Sequence, residues 1–467
     1  MALHPATKLS VVSAAYAKMK QNEDFRFQQH PGQIVNNGAT RVDAEQVQQN
    51  FLARLNHAVS RSFDVTGLFR YEHRDTRTPI GLYAFAAADP TAVPPLAANR
   101  VVNNLPQNRR QQTFAVDGRY DLRQGSTFTG GVEHLRIHRS VDAPAVSLAT
   151  QEQPFLSGEA TQNTVRLGYR HAFSESLNGH VNLSRSEREA GPYFDFPRTA
   201  ATPAPGIFPQ VPGFRQFFLA SRDQNKVRAS VDYQATEALW VQGTVEHLQD
   251  RYPDSRYGLN RAGMTTWTLD GVYAASDRIS FNGFVSFEDG ETRANQYQLA
   301  SGTAALPYAI NPNCAVTAAA GSSSNIADPC REWSFTQNDR VWTLGVGAKS
   351  AHMGGKLTLT GDVVHARAKT NMDFTGGARN TTTRVFVPAV NMPGITSTMT
   401  DFRLGAKYDF TKESAVRLGY LFRRLRSSDP QFDLFGITSV QAYIGPGMRA
   451  PDYNVHALSV SYVYTFR

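Results

Sequence analysis

Alternation with a period of two runs through almost the whole of this 467-residue chain, and no apolar run approaches the ~18 residues that a membrane helix needs. Between Gln46 and His57, Val47, Phe51, Ala53 and Leu55 share one face, interrupted by Gln49. Gln48, Asn50, Arg54 and Asn56 share the other, with Leu52 among them. After a break at Ser60, Arg61 and Ser62, the residues Val65, Gly67, Phe69 and Tyr71 face one way, and Thr66, Arg70 and Glu72 face the other. Two alternating runs joined by a few polar residues form a β-hairpin.

The unit recurs. Gln112–Asp121 pairs with Ser126–Arg139, Gln162–Ala172 with Leu177–Glu189, and Asn225–Gln234 with Leu239–Asp250. Further pairs are Thr265–Ala274 with Ile279–Thr292, Asn338–Ser350 with Lys356–Lys369, and Thr398–Phe410 with Ala415–Leu425. A lone strand at Thr7–Lys18 precedes them and another at Asn454–Phe466 follows, giving about 16 strands. Phe432–Tyr443 reads as part of the last loop. Connections inside hairpins are short, as at Phe173–Ser176, Ala235–Ala238 and Thr411–Ser414. Connections between hairpins are long and rich in Pro, Asn and Gly, as at Asp75–Arg110, Ala190–Asp223 and Arg293–Gln337. Short turns at one end and long loops at the other mark an antiparallel up-and-down transmembrane β-barrel, with short periplasmic turns, long extracellular loops and both ends of this chain periplasmic. The expected organisation is one barrel domain over residues 1–467, with 293–337 as a long extracellular loop.

Composition agrees. Charged residues are 19% of the chain, below the usual ~25%, and aromatics are 11%. A 41% hydrophobic content argues against disorder. The net charge of +8 is spread along the chain without a basic run or recognition motif, so nucleic acid is not an expected partner.

The two faces imply two solvents. Tyr120, Tyr169, Tyr233, Tyr273 and Tyr408 fall in phase with the apolar face just before short turns, the place for an aromatic girdle at a water–lipid boundary. The opposite face carries Arg54, Arg70, Glu72, Asp117, Arg119, Arg166, Arg170, Arg228, Asp232, Asp270, Arg403 and Lys407. A charge on the lipid face near the midplane costs about 2–4 kcal/mol, so these residues are expected to line a lumen that holds water or a polar partner.

Signs of chemistry are sparse. The chain has 12 histidines but no Cys-x-x-Cys-His haem-attachment motif and no paired zinc spacing. Glu72-His73, Glu133-His134 and Glu246-His247 recur, but adjacent strand residues point to opposite faces and cannot converge on one ion. No Gly-x-Ser-x-Gly elbow or nucleophile–base set appears, so no catalytic, cofactor or metal residue is expected. Cys314 and Cys330 lie sixteen positions apart in the longest loop and are expected to form a disulfide in an oxidising compartment.

With the hairpins laid out, the chain resembles the decahaem-cytochrome-associated outer-membrane β-barrels of the MtrB/PioB type. The resemblance rests on Thr7–Phe25, Phe69–Pro79 (FRYEHRDTRTP), Val227–Leu259 and the close at Ala450–Phe466. It implies a Gram-negative outer-membrane sheath for extracellular electron transfer. A periplasmic multihaem c-type cytochrome sits in the lumen, an extracellular multihaem cytochrome can dock outside, and outer-membrane lipid surrounds the barrel. The haem then belongs to the partner and the barrel carries none.

Size refines this expectation. Sixteen strands about 4.8 Å apart and tilted about 40° leave a lumen roughly 20 Å wide, too narrow for a folded ten-haem cytochrome. About 26 strands would leave roughly 40 Å. Thr7–Phe25 resembles an internal strand of the family, and the chain shows no export signal, so roughly 200 further N-terminal residues and about ten further strands are expected. The alternative is a general diffusion porin, whose usual size about 16 strands already match.

Overall fold

A computed structural model describes residues 7–24, 41–80, 82–85, 100–103, 106–122, 125–141, 158–191, 213–297, 314, 329–379, 385–429 and 452–465. Its strands in chain order are β1 (Thr7–Asp24), β2 (Arg41–Ala58), β3 (Phe63–Thr76), β4 (Leu82–Phe85), β5 (Arg100–Asn103), β6 (Gln107–Asp121) and β7 (Ser126–Val141). Then follow β8 (Glu159–Ala172), β9 (Leu177–Ala190), β10 (Arg222–Gln234), β11 (Leu239–Arg251), β12 (Gly258–Ser276) and β13 (Ile279–Tyr297). The last are β14 (Glu332–His352), β15 (Leu357–Arg379), β16 (Phe386–Pro388), β17 (Met392–Asp409), β18 (Ser414–Ser428) and β19 (Tyr453–Tyr464).

All but β4 and β5 belong to one 17-stranded sheet, in which each long strand pairs antiparallel with the long strands before and after it in the chain. The three-residue β16 only extends β15, and β4 pairs with β5 apart from the main sheet. The chain is thus an all-β antiparallel meander. Among the described residues no pairing joins β1 to β19, so the sheet is open. No described helix is long and apolar enough to cross a membrane.

Side-chain oxygens close the short turns. Ser174 Oγ accepts from the backbone N–H groups of Ser176 and Leu177 at 3.2 and 3.0 Å. Thr236 Oγ1 does the same for Ala238 and Leu239 at 3.2 and 3.0 Å, and Thr411 Oγ1 for Glu413 and Ser414, both at 3.1 Å. A hydroxyl that satisfies two turn amides explains why these four-residue turns carry Ser or Thr at one position.

The strands run farther than the alternation alone predicts. β13 reaches Tyr297 and β14 begins at Glu332, so the ends of the expected 293–337 loop are strand. The link between β11 and β12 is only Tyr252–Tyr257, an exception to the rule of long connections at that end. Polar and charged residues make these extensions hard to read: outward-phase Asp289, Glu291 and Arg293 continue the β13 ladder where the apolar pattern has stopped. Phe432–Tyr443 lies outside the described residues.

On the outer face, the apolar band of β13 runs Ile279, Phe281, Gly283, Val285, Phe287. At about 3.3 Å per residue and a tilt of about 40°, it spans about 20 Å, near the ~25 Å band of outer-membrane barrels. Aromatic contacts cross between strands within this band. Phe287 lies 4.4 Å from Trp342 and 5.5 Å from Trp267, and Phe128 lies 4.7 Å from Tyr169. Tyr120, Tyr169, Tyr233, Tyr273 and Tyr408 all stand at the short-turn edge of the exposed apolar face.

Candidate functional site

Antiparallel pairing carries residue phase from strand to strand, and the ladder assembles the polar face into rows. One row reads Asn56, Thr66, Asp117, Gly131, Arg166, Ser184, Lys226 from β2 to β10. A second reads Gly168, Asn182, Arg228, Glu246, Thr266, Glu288 from β8 to β13. Register places Arg54, Arg70, Glu72, Arg119, Arg170, Asp232, Asp270, Arg403 and Lys407 on this same face.

Charges of both signs interleave along the rows. Arg166 reaches Glu133 at 2.9 Å and Asp117 at 3.1 Å. Lys226 and Arg228 share Glu246 at 2.7 and 3.9 Å. Asp401, almost fully buried, takes both Arg403 and Arg423, while Lys407 pairs with Asp409 at 2.7 Å. Arg119 pairs with Asp121, and Gln242 hydrogen-bonds Asp232. Arg70, Glu72, Arg170 and Asp270 have no charged partner among the described residues.

Glycine makes one of these pairs possible. A Cβ on Gly131 would lie 1.9 Å from Asp117 Oδ1 and 3.2 Å from the Val116 carbonyl oxygen. The carboxylate occupies that space on its way to Arg166, two strands away. Asp117, Gly131, Arg166, Ser184 and Lys226 also line one cleft of about 330 Å³ on the polar face.

At the long-connection end, part of the segment between β9 and β10 folds over the polar face. Arg188 Nε donates to the Ala220 carbonyl at 2.9 Å and Arg188 Nη2 to that of Phe217 at 2.6 Å. Arg139 Nη2 donates to the Phe218 carbonyl at 3.3 Å. Leu219 and Ala220 are buried, as are Ile137 and Ala160, which share the inward phase. This inward fold left no trace in the alternation pattern, because its acceptors are backbone carbonyls. Glu133 and Glu246 were readable, since each precedes a histidine in the repeated Glu-His pairs.

His134 and His247 of those pairs face outward, as does His365. His134 Nδ1 bonds Asn163 Oδ1, His247 Nδ1 bonds Thr265 Oγ1 and His365 Nδ1 bonds Thr400 Oγ1, each at 2.8 Å. No cluster of potential metal ligands occurs among the described residues. Cys314 and Cys330 form a disulfide.

A meander of long strands with an apolar outer face and an ion-paired inner face is the arrangement of strands in an outer-membrane β-barrel. The model of the MtrB/PioB outer-membrane beta-barrel porin family matches residues 1–466. The chain belongs to that family. It is 21% identical over 414 residues to outer membrane protein MtrB of Shewanella baltica, covering 87% of this chain and 49% of that protein. The chain therefore spans about half the length of the curated relative it matches.

Two solved structures are also similar. A point mutant of the ferric enterobactin receptor PfeA of Pseudomonas aeruginosa gives a TM-score of 0.45 at 8% identity, over 97% of this chain and 68% of the receptor. The FrpB iron transporter of Neisseria meningitidis gives 0.45 at 10% identity, over 89% and 57%. This MtrB/PioB member is an integral outer-membrane, porin-like β-barrel protein.

Proposed function

We propose that this MtrB/PioB member forms part of an outer-membrane sheath, with its polar face against a periplasmic multihaem c-type cytochrome. Electrons cross the membrane along the partner's haems, and the barrel supplies insulation and grip. In this reading the short turns and both ends of the chain are periplasmic, and the long connections meet the exterior, where an extracellular cytochrome can dock.

The supporting observation is the sign pattern of the inner face. Arg166 with Glu133 and Asp117, and Lys226 and Arg228 with Glu246, neutralise one another locally. A wall of interleaved pairs sets up little field across a lumen, so it favours no mobile ion. It does offer donors and acceptors of both signs to a protein surface, and Arg70, Glu72, Arg170 and Asp270 leave charges free to pair with it. The open edges of β1 and β19 support a sheet that continues into a wider barrel, with room for a folded partner.

The second reading, a diffusion porin, draws on the number of long strands. One experiment separates the two. An antibody against the connection between β13 and β14 would pull the protein from native membranes for haem staining and planar-bilayer recording. A stoichiometric c-type haem band is the result expected of a sheath. A haem-free eluate that conducts ions would overturn the sheath and favour the porin.

A further inference from the structure

The outer face of β14, β15, β17 and β18 changes character within one step of the ladder. Val346, Val363, Phe402 and Phe422 form a continuous apolar row across the four strands. The next row reads Leu344, His365, Thr400, Arg424, and the one beyond it Trp342, Arg367, Thr398, Arg426. The last reads Arg340, Lys369, Thr396, Ser428. Outward-phase residues of β15 are thus His365, Arg367 and Lys369 in succession, and those of β18 are Arg424 and Arg426. A line of three threonines runs between them on β17.

Counter-charge is scarce here. Arg340 is held by Asp289 at 3.3 Å, and Arg426 lies 4.0 Å from Asp452. Arg367, Lys369 and Arg424 have no acidic partner among the described residues, and all three are exposed. The same level on β9, β10 and β13 is different, since it carries Glu187, Glu189, Asp223, Asp289 and Glu291 in outward phase. Outward arginines recur at this level on β6, β7 and β11, as Arg110, Arg136 and Arg251, but only here do four cations, Arg367, Lys369, Arg424 and Arg426, flank one line of threonines, at the depth where acyl chains give way to headgroups.

We propose that this sector binds the phosphate groups of the phosphorylated glycolipid in the outer leaflet. Arg367 and Arg426 flank Thr398 across the ladder, so their Cα atoms stand about 10 Å apart. Two long side chains can close on one phosphate from that separation, each with a bidentate fork, while the threonine hydroxyls donate from beneath. Lys369 and Arg424 add charge on either side. Trp342, directly opposite Arg367, anchors the site at the interface. The assignment rests on the reading that the long-connection end faces outward.

The test uses the full chain extracted in non-ionic detergent, with bound lipid counted by native mass spectrometry. The wild-type protein should retain diphosphorylated glycolipid. The triple variant R367Q/K369Q/R424Q should lose it, by about fivefold for each charge removed. The charge-conserving R367K/R424K should fall between the two, and a heat-modifiable gel shift reports that each variant is folded. Equal retention by wild type and triple variant would overturn the site, as would retention of an inner-leaflet phospholipid in place of the glycolipid. Topology is read separately, by labelling Gly354→Cys in the β14–β15 turn on whole cells with a membrane-impermeant maleimide. Labelling from outside would refute the orientation and with it the outer-leaflet glycolipid as ligand, whereas a turn that stays unlabelled beside equal retention by wild type and triple variant would overturn the site and leave the orientation standing.

Discussion

Arg423 grips Asp401 through two nitrogens, Nε at 2.7 Å and Nη2 at 2.6 Å, across the β17–β18 ladder. The carboxylate is almost fully buried and takes Arg403 as well, so one negative charge holds two positive ones on the inner face. Asp401→Ala removes that charge and leaves the guanidinium groups facing each other. The expected loss is about 3 kcal/mol, measured by urea unfolding from lipid vesicles. Arg403→Gln should cost less, because Arg403 is largely exposed and donates a single bond.

Gly131→Ala is expected to act through Asp117. The added methyl group takes the space of the carboxylate, which must swing off Arg166. The predicted cost is about 1 kcal/mol. A double-mutant cycle with Asp117→Asn checks it: once the carboxylate is gone, the alanine should lose most of its effect. Two additive effects would show that the glycine serves the backbone alone.

A pair of neighbours on β12 tests the assignment of faces. Leu269 is outward in the apolar band, and Thr268 is inward beside Ser286. Leu269→Arg should destabilise the membrane-inserted protein by about 2–4 kcal/mol, whereas Thr268→Arg should cost under about 1 kcal/mol. Reversal of that order would exchange lipid and lumen.

Beyond the membrane band, alkaline pH should loosen the contact between Tyr257 and Glu332. Desolvation and the hydrogen bond to Glu332 push the Tyr257 pKa up to about 12 from an ordinary value near 10. The folded state then holds its phenolic proton where the unfolded chain has lost it. The stabilisation is fully present below pH ~10 and disappears as pH rises through ~12. Spectrophotometric titration of tyrosinate should show a late-ionising phenol near pH 12, and Tyr257→Phe should remove that step.

The repeated hairpins were legible because burial on one side only imposes a period of two, and every long strand carries it. Tyr120 and Asp117 could be assigned to opposite faces for the same reason. Strand ends were less clear, since Asp289 to Arg293 lie above the apolar band and hydrophobicity no longer reports pairing. The inward segment at Phe217–Ala220 was invisible, because Arg139 and Arg188 bind its backbone. Those arginines looked like any other inward charges.

Among the described residues the outer edges of β1 and β19 have no strand partner, and this too has a kinetic meaning. Every other long strand meets its partners within a few tens of residues of chain, so most of the sheet can zip up by local contacts. The ladders on the free edges of β1 and β19 must find more distant partners, and their closure is the slow, entropically expensive event. Until it happens, two rows of bare N–H and C=O groups stand ready to pair with any passing strand, where a second copy of the chain competes with the correct one.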